Sequence, residues 1–152
     1  MGVKISERKC VVMLKGINPT LSPELLKILS EMGHGDELII ADGGFPGANL
    51  ARNLVRADGV GCVAMLEAVL SVFPLDQYDD KNFFLMETTG GDAPPAIWDE
   101  YAEVLRRYEP TAHIEHLERF AYYERAKKAY AVIATSEMAP YGNILLKKGC
   151  VR

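Results

Sequence analysis

Cysteine is scarce in this chain. Cys10, Cys62 and Cys150 are the only three, an odd number with no close pair and no Cys-x-x-Cys. That argues against a disulfide framework and against a metal knuckle of closely spaced thiolates, and favours free thiols in a reducing compartment. Long apolar runs are missing as well: none approaches the roughly 18 residues that span a bilayer. The stretch Cys10-Val11-Val12-Met13-Leu14 is cut by Lys15 and is too short for a signal-peptide core, so cytoplasmic residence and no membrane partner are the default expectation. Nor is there an excess of positive charge. Lys and Arg number 17 against 21 Asp and Glu, a net charge of −4, and Lys127-Lys128 and Lys147-Lys148 are isolated doublets. Nucleic acid is therefore not an expected partner. The glycines of Gly43-Gly44-Phe45-Pro46-Gly47 lack both the G-x-G-x-x-G order and a following G-K-[ST], which argues against a nucleotide loop.

What is present is the profile of one ordinary globular domain, 152 residues with 49% hydrophobic and 25% charged, enough for one core. Residues 1–12 read as a flexible leader and 13–152 as a single domain. The spacing predicts a first helix over Pro23–Met32, with Ser22 as N-cap, Pro23 in the first turn, Leu25, Leu26, Leu29 and Met32 on one face, and Gly33 as a left-handed C-terminal cap. Glu37–Ala41 is a short buried strand, and Asp42–Gly47 a loop by composition. Cys62–Phe73 is a largely buried helix ended by Pro74. Phe83–Met86 is a strand. Pro95–Tyr108 is an amphipathic helix bearing Trp98, Tyr101, Val104, Leu105 and Tyr108 on one face. Glu115–Phe120 is a strand, Tyr122–Lys128 a helix, and Tyr130–Thr135 and Ile144–Lys147 strands. Alternating strands and helices imply an α/β layer architecture.

The chemistry concentrates in Met32-Gly-His-Gly-Asp-Glu37, followed by Asp42 at the end of the Glu37–Ala41 run. Carboxyl ends of strands are where open α/β sheets bind ligands. An imidazole with a pKa near 6.5 can give and take protons at neutral pH, and the glycines around His34 let a ligand come close. A histidine that only hydrogen-bonds its own loop fits the local sequence equally well. Asp42 either anchors a hydroxyl or caps the turn before Gly43. Asp36 would make a third ligand of a metal triple with His34 and Asp42 only if the three converge. His113 and His116 read as ordinary strand-end residues. Arg119, followed by Phe120, Tyr122 and Tyr123, offers forked donors beside flat apolar faces, a combination that suits sugars. Tyr123 can line a pocket or pack inside. Tyr141-Gly142-Asn143 combines a phenol, a bare backbone and an amide in one turn, as a hydroxyl-binding cluster or as a plain tight turn.

Several blocks in order resemble the RbsD/FucU family: Met13-Leu-Lys-Gly16, Leu21-Ser-Pro-Glu-Leu-Leu26, Met32-Gly-His-Gly-Asp-Glu37, Phe45-Pro46, Arg56-Ala-Asp-Gly59, Tyr123-Glu-Arg-Ala126, Tyr141-Gly-Asn-Ile144 and Lys147-Lys-Gly149. The resemblance implies a three-layer α/β/α sandwich around a mixed, largely parallel sheet. It implies an isomerase that interconverts the α and β anomers of L-fucose without metal or redox cofactor. It places the proton donor on His34 and sugar contacts on Asp42, Arg119, Tyr141, Gly142 and Asn143. It also implies a homo-oligomer, commonly a decamer, with sites between neighbouring subunits, and Phe45 and Ile144 are candidates for exposed subunit contacts. Gly43-Gly44 departs from the bulkier residues of relatives and bears on which sugar is preferred. The alternatives are a pyranase for D-ribose or a mutarotase for another monosaccharide, a non-catalytic sugar-binding protein, and a metal-dependent lyase or hydrolase using His34, Asp36 and Asp42.

Overall fold

The computed structural model describes residues 13–151. The leader expected over residues 1–12, and Cys10 within it, lie outside the described residues. Eleven elements follow in order: α1 Pro23–Glu31, β1 Glu37–Ala41, α2 Gly47–Leu50, β2 Leu54–Ala57, α3 Cys62–Leu70, β3 Lys81–Met86, α4 Ile97–Tyr108, β4 His113–Leu117, α5 Arg119–Lys128, β5 Ala131–Thr135 and β6 Ile144–Lys147. The strands form one sheet in the order β2-β5-β1-β6-β3-β4. All run parallel except β6, which pairs antiparallel with both β1 and β3.

Alternation along the strands builds two separate cores. Leu38, Ile40, Ile133, Ile144 and Leu146 face α1, α3 and α4 on one side of the sheet. Ile39, Ala41, Val132, Leu145 and Phe84 face Tyr122 and Ala126 of α5 and Leu50 of α2 on the other. The period of two carries successive strand residues to opposite faces, and both faces are covered, as a largely parallel sheet requires. The result is the three-layer α/β/α architecture with a mixed sheet. No helix among the described residues is long and apolar enough to cross a membrane.

Local departures from the sequence reading have physical reasons. Ser22 caps α1 as expected, its side chain accepting from Leu25 N. Gly33, however, is not the left-handed residue. Met32 leaves the helix in an extended conformation, the Asp36 carboxylate takes the Gly33 N–H at 2.7 Å, and the positive φ falls on Gly35. The strand expected over Glu115–Phe120 ends at Leu117, because the Glu118 carboxylate accepts from the N–H groups of Phe120 and Ala121 and so opens α5 at Arg119. Ile144 is fully buried in β6, so it is not the exposed contact residue expected, whereas Phe45 is half-buried, packing on the rings of Tyr122 and Tyr123 and lining a cavity at the carboxyl edge of the sheet. The exposed large aromatics of the described residues include Tyr78 and Phe120.

Tyr122 of α5 is fully buried against the sheet, and its hydroxyl has no hydrogen-bond partner among the described residues. A buried hydroxyl left unsatisfied costs on the order of 1–3 kcal/mol. Tyr122→Phe is therefore expected to stabilise the protein by about 1 kcal/mol, read as a higher denaturant midpoint at fixed protein concentration. A lower midpoint would show that the hydroxyl is satisfied.

Candidate functional site

The carboxyl ends of the parallel strands share one edge of the sheet, and the antiparallel β6 begins at that same edge. Asp42 follows β1 there, and Tyr141, Gly142 and Asn143 lead into β6. Two reciprocal bonds join these segments. The Asp42 N–H donates to Asn143 Oδ1 at 2.8 Å, and Asp42 Oδ2 accepts from Gly142 N at 3.2 Å. Asp42 Oδ1 accepts from Gly44 N at 3.0 Å, so the turn-capping reading of Asp42 holds alongside any other role. Partial burial pushes the Asp42 pKa up. The backbone N–H groups of Gly142, Gly44 and Phe45 oppose that push, and the net position is above the ordinary aspartate value.

The late turn is clamped from α4. Trp98 donates its indole N–H to the Tyr141 carbonyl at 2.9 Å, and the buried Tyr101 hydroxyl donates to the Gly142 carbonyl at 2.7 Å. Tyr141 is held at a φ of 55° and is the one non-glycine residue with positive φ among those described, a conformation that persists only when its surroundings enforce it. At position 142 a Cβ would meet the Ala139 carbonyl at 3.1 Å and Asp42 Cβ at 3.4 Å. Glycine is needed there for close approach.

Arg119 opens α5, where a positive charge opposes the helix dipole. The Glu118 carboxylate compensates at the N-cap, and the N–H groups of Phe120 and Ala121 hold its pKa below the usual carboxylate range. The Arg119 guanidinium lies 5.8 Å from the centre of the Tyr123 ring and makes no ion pair among the described residues.

These groups enclose a cavity of about 350 Å³, lined among others by Asp42, Gly44, Arg119, Tyr123, Tyr141 and Asn143. That volume falls in the range of small-molecule sites, roughly 300–1,000 Å³. The polar lining has a defined sense. Asn143 spends its oxygen on the Asp42 N–H, so its amide N–H₂ remains as a donor. Arg119 donates only, and the Asp42 carboxylate accepts only. Donors and acceptors facing one another across a small hollow suit a polyol. Of the residues singled out in the sequence, Gly142 alone among the late-turn trio stays off the cavity wall, because its N–H and carbonyl are both engaged inside the protein.

His34 lies elsewhere. It precedes β1, whereas Asp42 follows it, and the five residues of β1 separate the two edges by roughly 17 Å at about 3.3 Å per residue. Within one chain the imidazole does not reach the cavity. Its Nε2 sits 3.0 Å from Asp76 Oδ1, and its ring lies 5.4 Å from that of Tyr78. Asp76 is 2% exposed. Burial pushes its pKa up, but hydrogen bonds from His34, the Tyr78 N–H and Lys147 outweigh that and leave it lowered. Lys147 in turn bridges Asp76 and Asp79, at 3.5 and 2.8 Å. Asp36 is occupied by Gly33 N, so His34, Asp36 and Asp42 do not converge. Among the described residues no group of three or more His, Cys, Asp or Glu is arranged to hold a metal ion.

The sequence reading did not single out Asp76, Thr89, Asp92, Trp98 or Tyr101 for the site. Asp76 follows Pro74-Leu75 with no periodic signal, and only the 42-residue loop closure onto His34 reveals its part. Thr89 and Asp92 flank a Gly-Gly pair, a turn signal that was present.

The chain matches the model of the RbsD / FucU transport protein family over residues 15–151. It is 46% identical over 139 residues to the L-fucose mutarotase of Actinobacillus pleuropneumoniae serotype 5b, covering 90% of this chain and 96% of the relative. Among solved structures, the fucose mutarotase from Streptococcus pneumoniae in complex with L-fucose superposes with a TM-score of 0.87 at 44% identity, covering 91% of this chain and all of that one. FucU from Bifidobacterium longum gives the same TM-score at 50% identity, with the same two coverages. With the family model spanning nearly all the described residues, this chain belongs to the RbsD/FucU family.

Proposed function

We propose that this protein is an L-fucose mutarotase, an isomerase that interconverts the α and β anomers of the free sugar. The observation that carries the reading is the cavity at the carboxyl edge of the sheet, where Asp42, Arg119, Tyr141 and Asn143 present mixed donors and acceptors. A relative of the same fold, 44% identical, was crystallised with L-fucose.

Mutarotation opens the ring and closes it on the other face of the carbonyl. One proton leaves the anomeric hydroxyl and one reaches the ring oxygen, and both moves reverse on closure. In this proposal His34 is the proton donor to the ring oxygen. Asp76 accepts from Nε2–H, so the proton His34 gives leaves from Nδ1 of the imidazolium, and the neutral ring takes a proton back there on closure. Asp42 holds a hydroxyl or draws its proton, while Arg119, Tyr141 and Asn143 grip the others beside Tyr123. A positioned acid–base group is worth roughly 10²–10⁴-fold, enough for a reaction that already proceeds in water.

Because His34 and Asp42 sit at opposite edges of one chain, the reading requires a homo-oligomer, proposed as a decamer, in which His34 of the partner subunit enters the cavity of its neighbour. Two exposed aromatics support this. Tyr78 lies beside His34, and Phe120 follows Arg119 at the cavity, 74% and 70% exposed. A reducing, cytoplasmic setting accords with Cys62 and Cys150, both free thiols.

Three outcomes are expected. First, His34→Ala slows L-fucose anomer exchange, read by saturation-transfer NMR, by about 10²-fold or more with the fold intact; wild-type rates in that variant would remove His34 from the reaction. Second, His34→Ala and Arg119→Ala chains, each nearly inactive, regain about a quarter of the wild-type rate when co-assembled one to one, because random mixing makes roughly one shared site in four complete. No recovery, or a monomer of 16.8 kDa that retains activity, would sink the shared site. Third, KM rises on the acid side as Asp42 gains a proton, at a pH above the ordinary aspartate value of about 3.9, and this limb disappears in Asp42→Asn.

A further inference from the structure

Between β3 and α4 the chain runs Thr88-Thr-Gly-Gly-Asp-Ala-Pro-Pro95. Gly90 and Gly91 both have positive φ, 63° and 79°, and the Asp92 N–H donates to the Thr89 carbonyl at 3.1 Å. Two consecutive positive φ values inside an i→i+3 bond match a type I′ turn, which only residues such as glycine adopt without strain. The turn delivers its two flanking side chains to one target. The Tyr141 hydroxyl donates to Asp92 Oδ2 at 2.6 Å. The Tyr141 hydroxyl oxygen accepts from Thr89 N at 3.3 Å and lies 3.2 Å from Thr89 Oγ1. Thr89, Asp92 and Tyr141 all line the cavity that holds Asp42 and Arg119.

A phenol has a single proton. Once that proton is committed to a carboxylate, in a short charge-assisted bond, the oxygen can only accept from anything else. The Thr89 N–H, which can only donate, agrees with that assignment and takes one lone pair of the phenol oxygen, leaving the other, for which a sugar hydroxyl competes with the Thr89 hydroxyl. We infer that Asp92 is a positioning residue that fixes the polarity of Tyr141, so that the phenol meets the sugar as a hydrogen-bond acceptor and selects for a hydroxyl that donates to it. The inference rests on the mutarotase reading and adds a specificity element to it: an acceptor at Tyr141, oriented by the β3–α4 turn, in the cavity that also holds the donors Arg119 and Asn143.

A double-mutant cycle tests it. Wild type, Asp92→Ala, Tyr141→Phe and the double variant are compared for KM and kcat of L-fucose exchange by NMR, and for Kd of L-fucose by calorimetry. Asp92 is exposed on a surface turn, so the variants keep the fold. Expected is an increase of about tenfold in KM and Kd for Asp92→Ala, with kcat changed by less than about twofold, the pattern of lost uniform binding. On the Tyr141→Phe background the same substitution changes them far less, because the two residues act as a unit. Asp92→Asn, whose amide oxygen can still accept the phenolic proton, recovers part of the loss. Additive effects, or an Asp92→Ala variant indistinguishable from wild type, overturn the inference while leaving the mutarotase reading intact. A wild type that binds L-fucose without accelerating exchange overturns that reading, and the cycle is then decided on Kd. A wild type that does neither overturns both.

Discussion

The reciprocal pair between Asp42 and the Gly142-Asn143 backbone turn is the constraint on which the cavity depends. It joins the end of β1 to the start of β6 through a backbone N–H on an amide oxygen and a carboxylate on a backbone N–H. Each bond defines the chemistry left over. Asn143 must turn its oxygen inward, so its N–H₂ faces the hollow. Asp42 keeps a carboxylate at the wall, made less acidic by partial burial. The pair fixes where the late turn and the loop after β1 meet. The clamp from Trp98 and Tyr101 completes it by taking the two carbonyls of the turn, which is what lets Tyr141 keep its left-handed backbone.

The separation of His34 from that cavity changes how the pair first seen in the sequence has to be understood. Eight positions apart along the chain, the two groups bracket a strand rather than a pocket. Each edge of the sheet is furnished on its own terms. One has carboxylate, guanidinium, phenol and amide. The other has an imidazole backed by a buried aspartate and a lysine. In the proposed mechanism each end supplies part of a shared site that a second copy completes, so assembly and activity are one question.

Much of this was legible beforehand, and the reasons are local. Ser22-Pro23 and the Leu25, Leu29 and Met32 spacing specify α1 through capping and periodicity. Leu38–Ala41 of β1 is apolar because both faces of the sheet are covered. Asp42, Arg119 and Asn143 were candidates by their chemistry, Asp42 and Asn143 each with a plain turn as the alternative, and the resemblance to the family is what assigned them to a site. The short α2 and β2 were missed, since four-residue elements carry too few periods to register. Arg119 was read into a strand because the capping role of Glu118 is visible only once its carboxylate is seen on two backbone N–H groups. The clamp, the Asp76 partner and the Asp92–Tyr141 bond link positions more than 40 residues apart, and only the folded chain brings those together.

The single reversed strand has a mechanical consequence. Its first residue, Ile144, adjoins Asn143 at the cavity, and its last, Lys147, reaches the aspartate behind His34. Four residues, wholly buried between β1 and β3 but for that lysine, therefore act as a rigid strut between the two working ends of the molecule. In the proposed mechanism, which asks only for protons to shift, no moving lid is needed, and a strut of fixed length would keep the two contributions of each copy at a constant separation.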